Sequence, residues 1–372
     1  MAGTGTPQPG RRRMHNGERF MTLRLTRRAA IGLAFACGLL LGSGHASAEK
    51  IVISNWDGYM PADLLANFTK ETGIEAEMSV HATNEEIMGK VVAGGGKGYD
   101  VLFVSSPFVE ALQNLKLIAP LDPAKIPNLA NLYPEARNLA YDPGNAHSVP
   151  YAWGTTGLCY RSDLVKTAPT SWMDLLRPSA DIKGKITMLA TDRWLMAAGE
   201  KALGYSVNTT NEDEIAKTKA LLIEAKKSLL AYDDTTFYSK LVSSEAVLVQ
   251  AWDGWCNYGI AENAAIKFVV PKEGSDMWVD TMVVTAASEH KDAAMAFINY
   301  VLRPEVHRWV AENILYKVPN QKAMEGLDPK LIEQYPNIGM TPADLMKQEQ
   351  LRDLGKAQKD YTRAVTEITS AQ

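Results

Sequence analysis

Apolar and polar positions alternate along this chain with two periods, and the period switches every few residues. Lys50 to Ser54 (KIVIS) reads as a short buried strand. From Ala62 to Thr72, Leu64, Leu65 and Phe68 share one helical face, and Gly73 is a stop signal. Ile74, Ala76, Met78 and Val80 then alternate with Glu75, Glu77 and Ser79, the pattern of a half-exposed strand. Glu85 to Ala93 gathers Ile87, Met88, Val91 and Val92 on a helix ending at Gly94-Gly95-Gly96. Val101 to Val104 follows as a buried strand and Pro107 to Leu115 as a helix. This rhythm predicts an α/β domain with a largely parallel sheet.

A second α/β stretch follows. Ser148 to Tyr160 reads as two strand pieces joined through Gly154 and Gly157, and Lys185 to Leu189 as a further strand. Glu212 to Lys227 is an amphipathic helix, and Ala246 to Ala251 and Ile266 to Val270 are buried strands. Asp292 to Leu302 and Pro304 to Asn313 are helices separated by the helix-starting Pro304. Residues 322–348 show only loop and helix pieces. The Gly94 to Gly98 run (GGGKG) is not a phosphate loop. Its glycines follow a helix instead of opening one, and Lys97 precedes Gly, not Ser or Thr.

The N-terminus has a different grammar. Arg24, Arg27 and Arg28 precede an apolar run from Ala29 to Gly42, and Gly44-His45-Ala46-Ser47-Ala48 supplies a small-x-small ending. These are the parts of a secretory signal peptide, with cleavage expected after Ala48. The run is too short for the ~20 residues that span a bilayer. Met14 or Met21 would serve equally as the start, and Thr26-Arg27-Arg28 leaves a twin-arginine route open. Cys37, inside the apolar run, is a poor lipid-attachment site, so a freely soluble exported protein is expected.

The 372 residues are 22% charged and 46% apolar, which excludes a disordered tail, a collagen-like repeat and a disulfide-dense miniprotein. The first 48 residues carry seven arginines and one glutamate, a net +6; since the whole chain is −4, residues 49–372 carry −10. An acidic body argues against a nucleic-acid partner. After cleavage only Cys159 and Cys256 remain. Export permits a bridge between them, but burial as two apolar thiols is the reading favoured at this level.

Catalytic signatures are absent: there is no G-x-S-x-G elbow and no H-E-x-x-H pair. His81, His147, His290 and His307 lie at no metal-ligand spacing. What recurs instead is an aromatic residue beside an acid near a strand end: Trp56-Asp57 with Tyr59, Asp192-Arg193-Trp194, Trp252-Asp253 with Trp255, and Trp278-Val279-Asp280. Ligands of open α/β sheets bind beyond the carboxyl ends of strands. Aromatic faces attract ammonium groups, and a carboxylate neutralises them through strong hydrogen bonds. Together these make a cage for an organic amine.

Several segments, in order and over nearly the whole mature chain, resemble the bacterial periplasmic spermidine/putrescine-binding proteins. They are Asn55 to Pro61 (NWDGYMP), Phe68 to Gly73, Gly98-Tyr99-Asp100, Val149 to Gly154 (VPYAWG), Pro271 to Gly274, Trp278-Val279-Asp280, Leu302-Arg303-Pro304 and Pro319-Asn320. The resemblance implies a non-enzymatic solute-binding protein of an ABC importer. Its fold would be α/β, the two-lobed type II periplasmic-binding-protein fold with a ligand cleft between the lobes. One lobe would comprise residues 49–156 plus 280–325 and the other 157–279 plus 326–372. It implies a small amine ligand, membrane permease subunits as partners and no cofactor, and the protein is expected to be a monomer in the periplasm. By the same likeness Trp56, Tyr59, Trp252, Trp278, Asp280 and Tyr316 line the cleft, with Asp280 as the anion for one ammonium.

Three positions depart from the family pattern. Gly58 stands where the first loop carries an acid, Trp194 where lobe two offers a glutamate, and Trp255 where a putrescine binder shows an aspartate. A diamine leaves one buried ammonium unpaired unless Asp57, Asp192 or Asp253 supplies the second anion. Alternatively, Arg193 holds the carboxylate of a zwitterion such as γ-aminobutyrate, or the tryptophans box a quaternary ammonium.

Overall fold

A computed structural model describes residues 49–371. The expected signal peptide, its cleavage point after Ala48 and Cys37 lie outside the described residues. Ten strands form one sheet: β1 Lys50–Asn55, β2 Glu75–Val80, β3 Val101–Ser105, β4 Ser148–Arg161, β5 Ile186–Met188, β6 Ala231–Tyr232, β7 Leu248–Trp252, β8 Ile266–Val269, β9 Asp276–Val284 and β10 Glu349–Gln350. Their order is β2-β1-β3-β9-β4-β7-β5-β6, with β10 paired to β9 and β8 to β4. The main helices are α1 Leu64–Thr72, α2 Asn84–Ala93, α3 Ser106–Asn114, α4 Trp172–Leu176, α5 Asp192–Ala202, α6 Glu212–Lys226, α7 Phe237–Val242, α8 Asp253–Glu262, α9 Lys291–Val301 and α10 Pro304–Trp309. Short turns of helix and the longer Gln358–Ser370 helix complete the C-terminal part.

Apart from the short β10, which lies parallel to β9, the expected parallel pairing is present only on the two flanks. There β1 pairs with β2 and β3, and β5 with β6 and β7, all parallel. The centre is antiparallel: β9 against β3 and β4, and β4 against β7. The strand expected in two pieces is a single 14-residue β4, irregular only between Pro150 and Ala152. Gly154 does not break it. A Cβ there would stand 2.3 Å from the Trp278 ring, so close packing, not a turn, requires glycine. The long strands β4 and β9 run past each other in the middle of the sheet, from Ser148↔Val283 to Thr155↔Met277, and join the two flanks.

Local chemistry explains the flanks. All five residues of β3 are buried, as suits a strand covered on both faces. Helix α2 begins with a capping pair: Thr83 accepts the Glu86 N–H, and the Glu86 carboxylate accepts the Ala82 N–H. It ends at Gly94, and Gly95 and Gly96 turn the chain with φ of 60° and 82°, as the helix-stop reading expects. One core gathers around Phe68, Phe103 and Phe297, and another around Trp172, Leu222 and Tyr361. Each such side chain contributes ~2–3 kcal/mol by leaving water.

Cys159 of β4 and Cys256 of α8 form a disulfide, with Cα atoms 5.9 Å apart. The reading of two free thiols is therefore corrected. The strand–helix packing brings together residues 97 apart in sequence, which spacing could not reveal. The bond also removes both sulfurs as nucleophiles. Cross-linking across so long a loop restricts the unfolded chain, so Cys159→Ala/Cys256→Ala is expected to lose about 2–4 kcal/mol in denaturant unfolding under oxidising conditions. An unchanged midpoint would show that the bridge does not stabilise the fold.

Candidate functional site

The candidate site is built on one face of β9. Strand side chains alternate, so Asp276, Trp278 and Asp280 point the same way. The neighbouring strands continue the rows: Asp280 lies opposite Ser105 of β3 and Ala152 of β4, and Trp278 opposite Gly154. Asp280 accepts the Ser105 hydroxyl at 2.6 Å and the Tyr59 hydroxyl at 2.8 Å. It has no cationic partner among the described residues. Burial pushes its pKa up to about 6, against the opposing effect of those two hydrogen bonds. Near neutral pH this is an ionised carboxylate held by neutral donors. Burial and the adjacent Asp280 charge push Tyr59 well above its usual range, so it remains a donor.

Aromatic rings wall this carboxylate. Tyr59 lies edge-on to Trp56, Tyr151 and Tyr316, at centroid distances of 5.4, 5.4 and 6.3 Å. Trp56 in turn meets the His81 ring at 4.9 Å, and Trp278 meets Tyr316 at 4.9 Å. The turn from β1 that presents Trp56 and Tyr59 requires Gly58, whose φ is +66°, a left-handed conformation that an acidic side chain would strain. Tyr316 is placed by three contacts: the Leu315 carbonyl accepts Asn257 Nδ2, the Lys317 carbonyl accepts the Trp153 N–H, and the Lys317 ammonium pairs with Asp253. Gly254 clears its path, since a Cβ there would fall 1.9 Å from the Tyr316 ring.

A match to the family of bacterial extracellular solute-binding proteins covers residues 63–339. The chain belongs to that family. The spermidine/putrescine-binding periplasmic proteins of Salmonella typhimurium and Escherichia coli are each 32% identical to this solute-binding protein, over 88% of its length and 94% or 95% of theirs. A solved spermidine/putrescine ABC transporter substrate-binding protein from Streptococcus pneumoniae superposes with a TM-score of 0.75 at 29% identity, covering 86% of this chain and 98% of the other. A putative spermidine/putrescine ABC transporter protein from Listeria monocytogenes gives 0.79 at 28%, covering 87% and 100%. The fold is thus the two-lobed type II periplasmic-binding-protein fold. Its relatives are transport proteins that bind solutes, not enzymes.

Within this solute-binding protein the residues singled out from sequence separate into groups. Trp56, Tyr59, Trp278, Asp280 and Tyr316 surround one point. Trp194, at the start of α5, meets Trp252 edge-on at 5.7 Å, and Trp252 shares a cross-strand row with Thr156. Trp255 packs with Phe237, Tyr238 and Tyr258 on the α7–α8 side, and Phe237 also lies against Trp252 at 6.4 Å. Asp57 is exposed in the turn. Trp278 and Asp280 lie within a strand, not beyond the end of one, because 276–284 is β9.

Arg193 is not available to a ligand carboxylate. Its guanidinium donates to the carbonyls of Arg352 at 2.6 Å and Val207 at 3.0 Å and to Asn208 Oδ1 at 2.8 Å, over the Tyr361 ring. Asp192 accepts the Thr362 hydroxyl at 2.7 Å, toward the C-terminal helix. Asp253 is buried against Lys317. Two of the three acids considered for a second ammonium are therefore engaged elsewhere, and the zwitterion alternative loses its anion-binding residue. Ser105 was not singled out from sequence. Its only signal was its place at the end of the buried strand Val101 to Val104.

Proposed function

We propose that this protein binds a polyamine of the spermidine/putrescine class between its two lobes, in the periplasm, and presents it to the permease of an ABC importer. The observation that carries the reading is Asp280: a carboxylate with two hydroxyl donors, no cationic partner among the described residues and a wall of aromatic rings. Such a site favours an alkylammonium, which takes ionic hydrogen bonds from the carboxylate and ring-face attraction along its methylenes. The names of the relatives support the same ligand class. The lobes would comprise residues 49–156 plus 280–325 and 157–279 plus 326–372, so that β4 and β9 carry the hinge on which ligand closes the cleft.

Calorimetric titration of the ligand-stripped chain from residue 49 tests this. Putrescine or spermidine is expected to bind with 1:1 stoichiometry, and γ-aminobutyrate and choline are expected to give no heat of specific binding. Binding of neither polyamine would end the reading. The ammonium needs the ionised carboxylate, so affinity should be flat above neutrality. It should fall by about tenfold per pH unit, for each carboxylate that must lose its proton, once pH drops below about 6. A pH-independent affinity between 5 and 8 would exclude Asp280 as the partner.

A further inference from the structure

We infer that Asp276 is the second anionic anchor of the cleft, and that the site is built for a triamine of spermidine's length held at both ends. This rests on the polyamine reading above and specifies which polyamine it selects. Asp276 and Asp280 are four positions apart on the same face of β9, a spacing of ~13 Å between Cα atoms in an extended strand. Trp278 lies between them. A four-carbon diamine reaches both carboxylates only if both side chains lean toward it. An extended triamine reaches both, with its middle over the indole.

Asp276 is fully buried, yet its Oδ2 has no hydrogen-bond partner. Its other oxygen takes only the Ser275 hydroxyl at 3.4 Å. Buried carboxylate oxygens are seldom left so, because the lost hydration costs several kcal/mol. Two further buried groups on the same strand rows are also unpartnered: the Thr156 hydroxyl, next along β4 from the Thr155–Met277 pair, and the indole Nε1 of Trp278, two residues along β9. The row continues from Thr156 to Trp252, against which Trp194 packs.

Burial pushes the Asp276 pKa up to about 6; the Thr156 hydroxyl opposes that shift without reaching hydrogen-bond geometry. Arg193 is the nearest positive charge, but its terminal nitrogens are held by Arg352, Val207 and Asn208. The rival role for Asp276 is a counter-charge for that guanidinium.

The test uses the ligand-stripped chain and Asp276→Asn, titrated with spermidine, putrescine and the two monoacetylspermidines, with a thermal melt of each protein. Asp276→Asn is expected to weaken spermidine by roughly 100-fold or more, since it leaves a buried ammonium unpaired, and putrescine by less than about threefold. One monoacetylspermidine, the one already lacking the charge that Asp276 meets, should bind both proteins alike. An equal loss for both polyamines, or no loss, would assign Asp276 to Arg193 and overturn the proposal. If Asp276→Asn does not fold, the unmodified protein decides: acetylation at either end must each weaken binding by roughly 100-fold, and one harmless acetylation would overturn the second anchor. Failure of the unmodified protein to bind any polyamine is a separate result, and it removes the functional reading itself.

Discussion

Asp280→Asn is expected to abolish high-affinity polyamine binding while making the ligand-free protein more stable. The two effects share one cause. Asp280 is half-buried beside Tyr59, Ser105 and the surrounding rings, with no cation beside it among the described residues. Its folded pKa of about 6 lies above the ordinary value of 3.8, so the folded state prefers the protonated form. The resulting destabilisation is absent below pH ~4 and fully present above the folded pKa. It amounts to about 2–3 kcal/mol at pH 7.5. Asparagine removes the charge, keeps an acceptor for one hydroxyl and turns an N–H toward the other, whose oxygen can accept it, so the ligand-free variant should melt higher at pH 7.5 and much like the parent at pH 4. Binding should weaken by at least ~3 kcal/mol, because the ammonium then enters a buried site without its anion. A variant that binds polyamine normally would show that the ligand lies elsewhere. A variant that binds nothing and is also destabilised would show that Asp280 mainly supports the fold.

Breaking the Asp253–Lys317 pair should have the largest effect on stability. The two side chains are 1% and 3% exposed, and Lys317 also donates to the Asn337 carbonyl at 3.0 Å. Surface pairs contribute little, but a buried ion that loses its partner typically costs 3–5 kcal/mol. Lys317→Met is therefore expected to lower the unfolding free energy by that amount, read from denaturant unfolding. Asp253→Leu/Lys317→Met, which removes both charges, should recover a large part of the loss. The pair also anchors Tyr316 over Trp278, so Lys317→Met should weaken ligand binding beyond what its stability predicts. A loss below ~1 kcal/mol would mean that water reaches the pair, and that something else places Tyr316.

The periodic pattern of the chain determined the flanks of this protein by itself. Strands β1 and β3 and helices α1 and α2 lie where apolar spacing puts them, because each buries one continuous set of side chains; β2 also lies where its alternation puts it, but as an edge strand with Ala76 and Met78 half-buried and Val80 exposed. The aromatic–acid pairs at Trp56, Tyr59, Trp278 and Asp280 were legible too, since aromatic rings beside a carboxylate carry a chemistry that does not depend on topology.

What only the tertiary structure decided was pairing across long separations. Asp276 to Val284 (DMWVDTMVV) has period-two logic, with Asp276, Trp278 and Asp280 on one face. Charges on a central strand hide that pattern until neighbours from β3 and β4 show which face carries the carboxylates and the Trp278 ring. Arg193 and Asp253 sit beside tryptophans in sequence, yet their charges answer to Arg352, Val207 and Lys317, all far along the chain. Trp255 follows Trp252 by three residues, but the chain passes from strand to helix between them, and its ring turns to Phe237 and Tyr238 instead. Sequence spacing specifies which residues share a face. Which face meets the ligand, and which charges are already neutralised, depends on packing between segments that only the folded chain brings together.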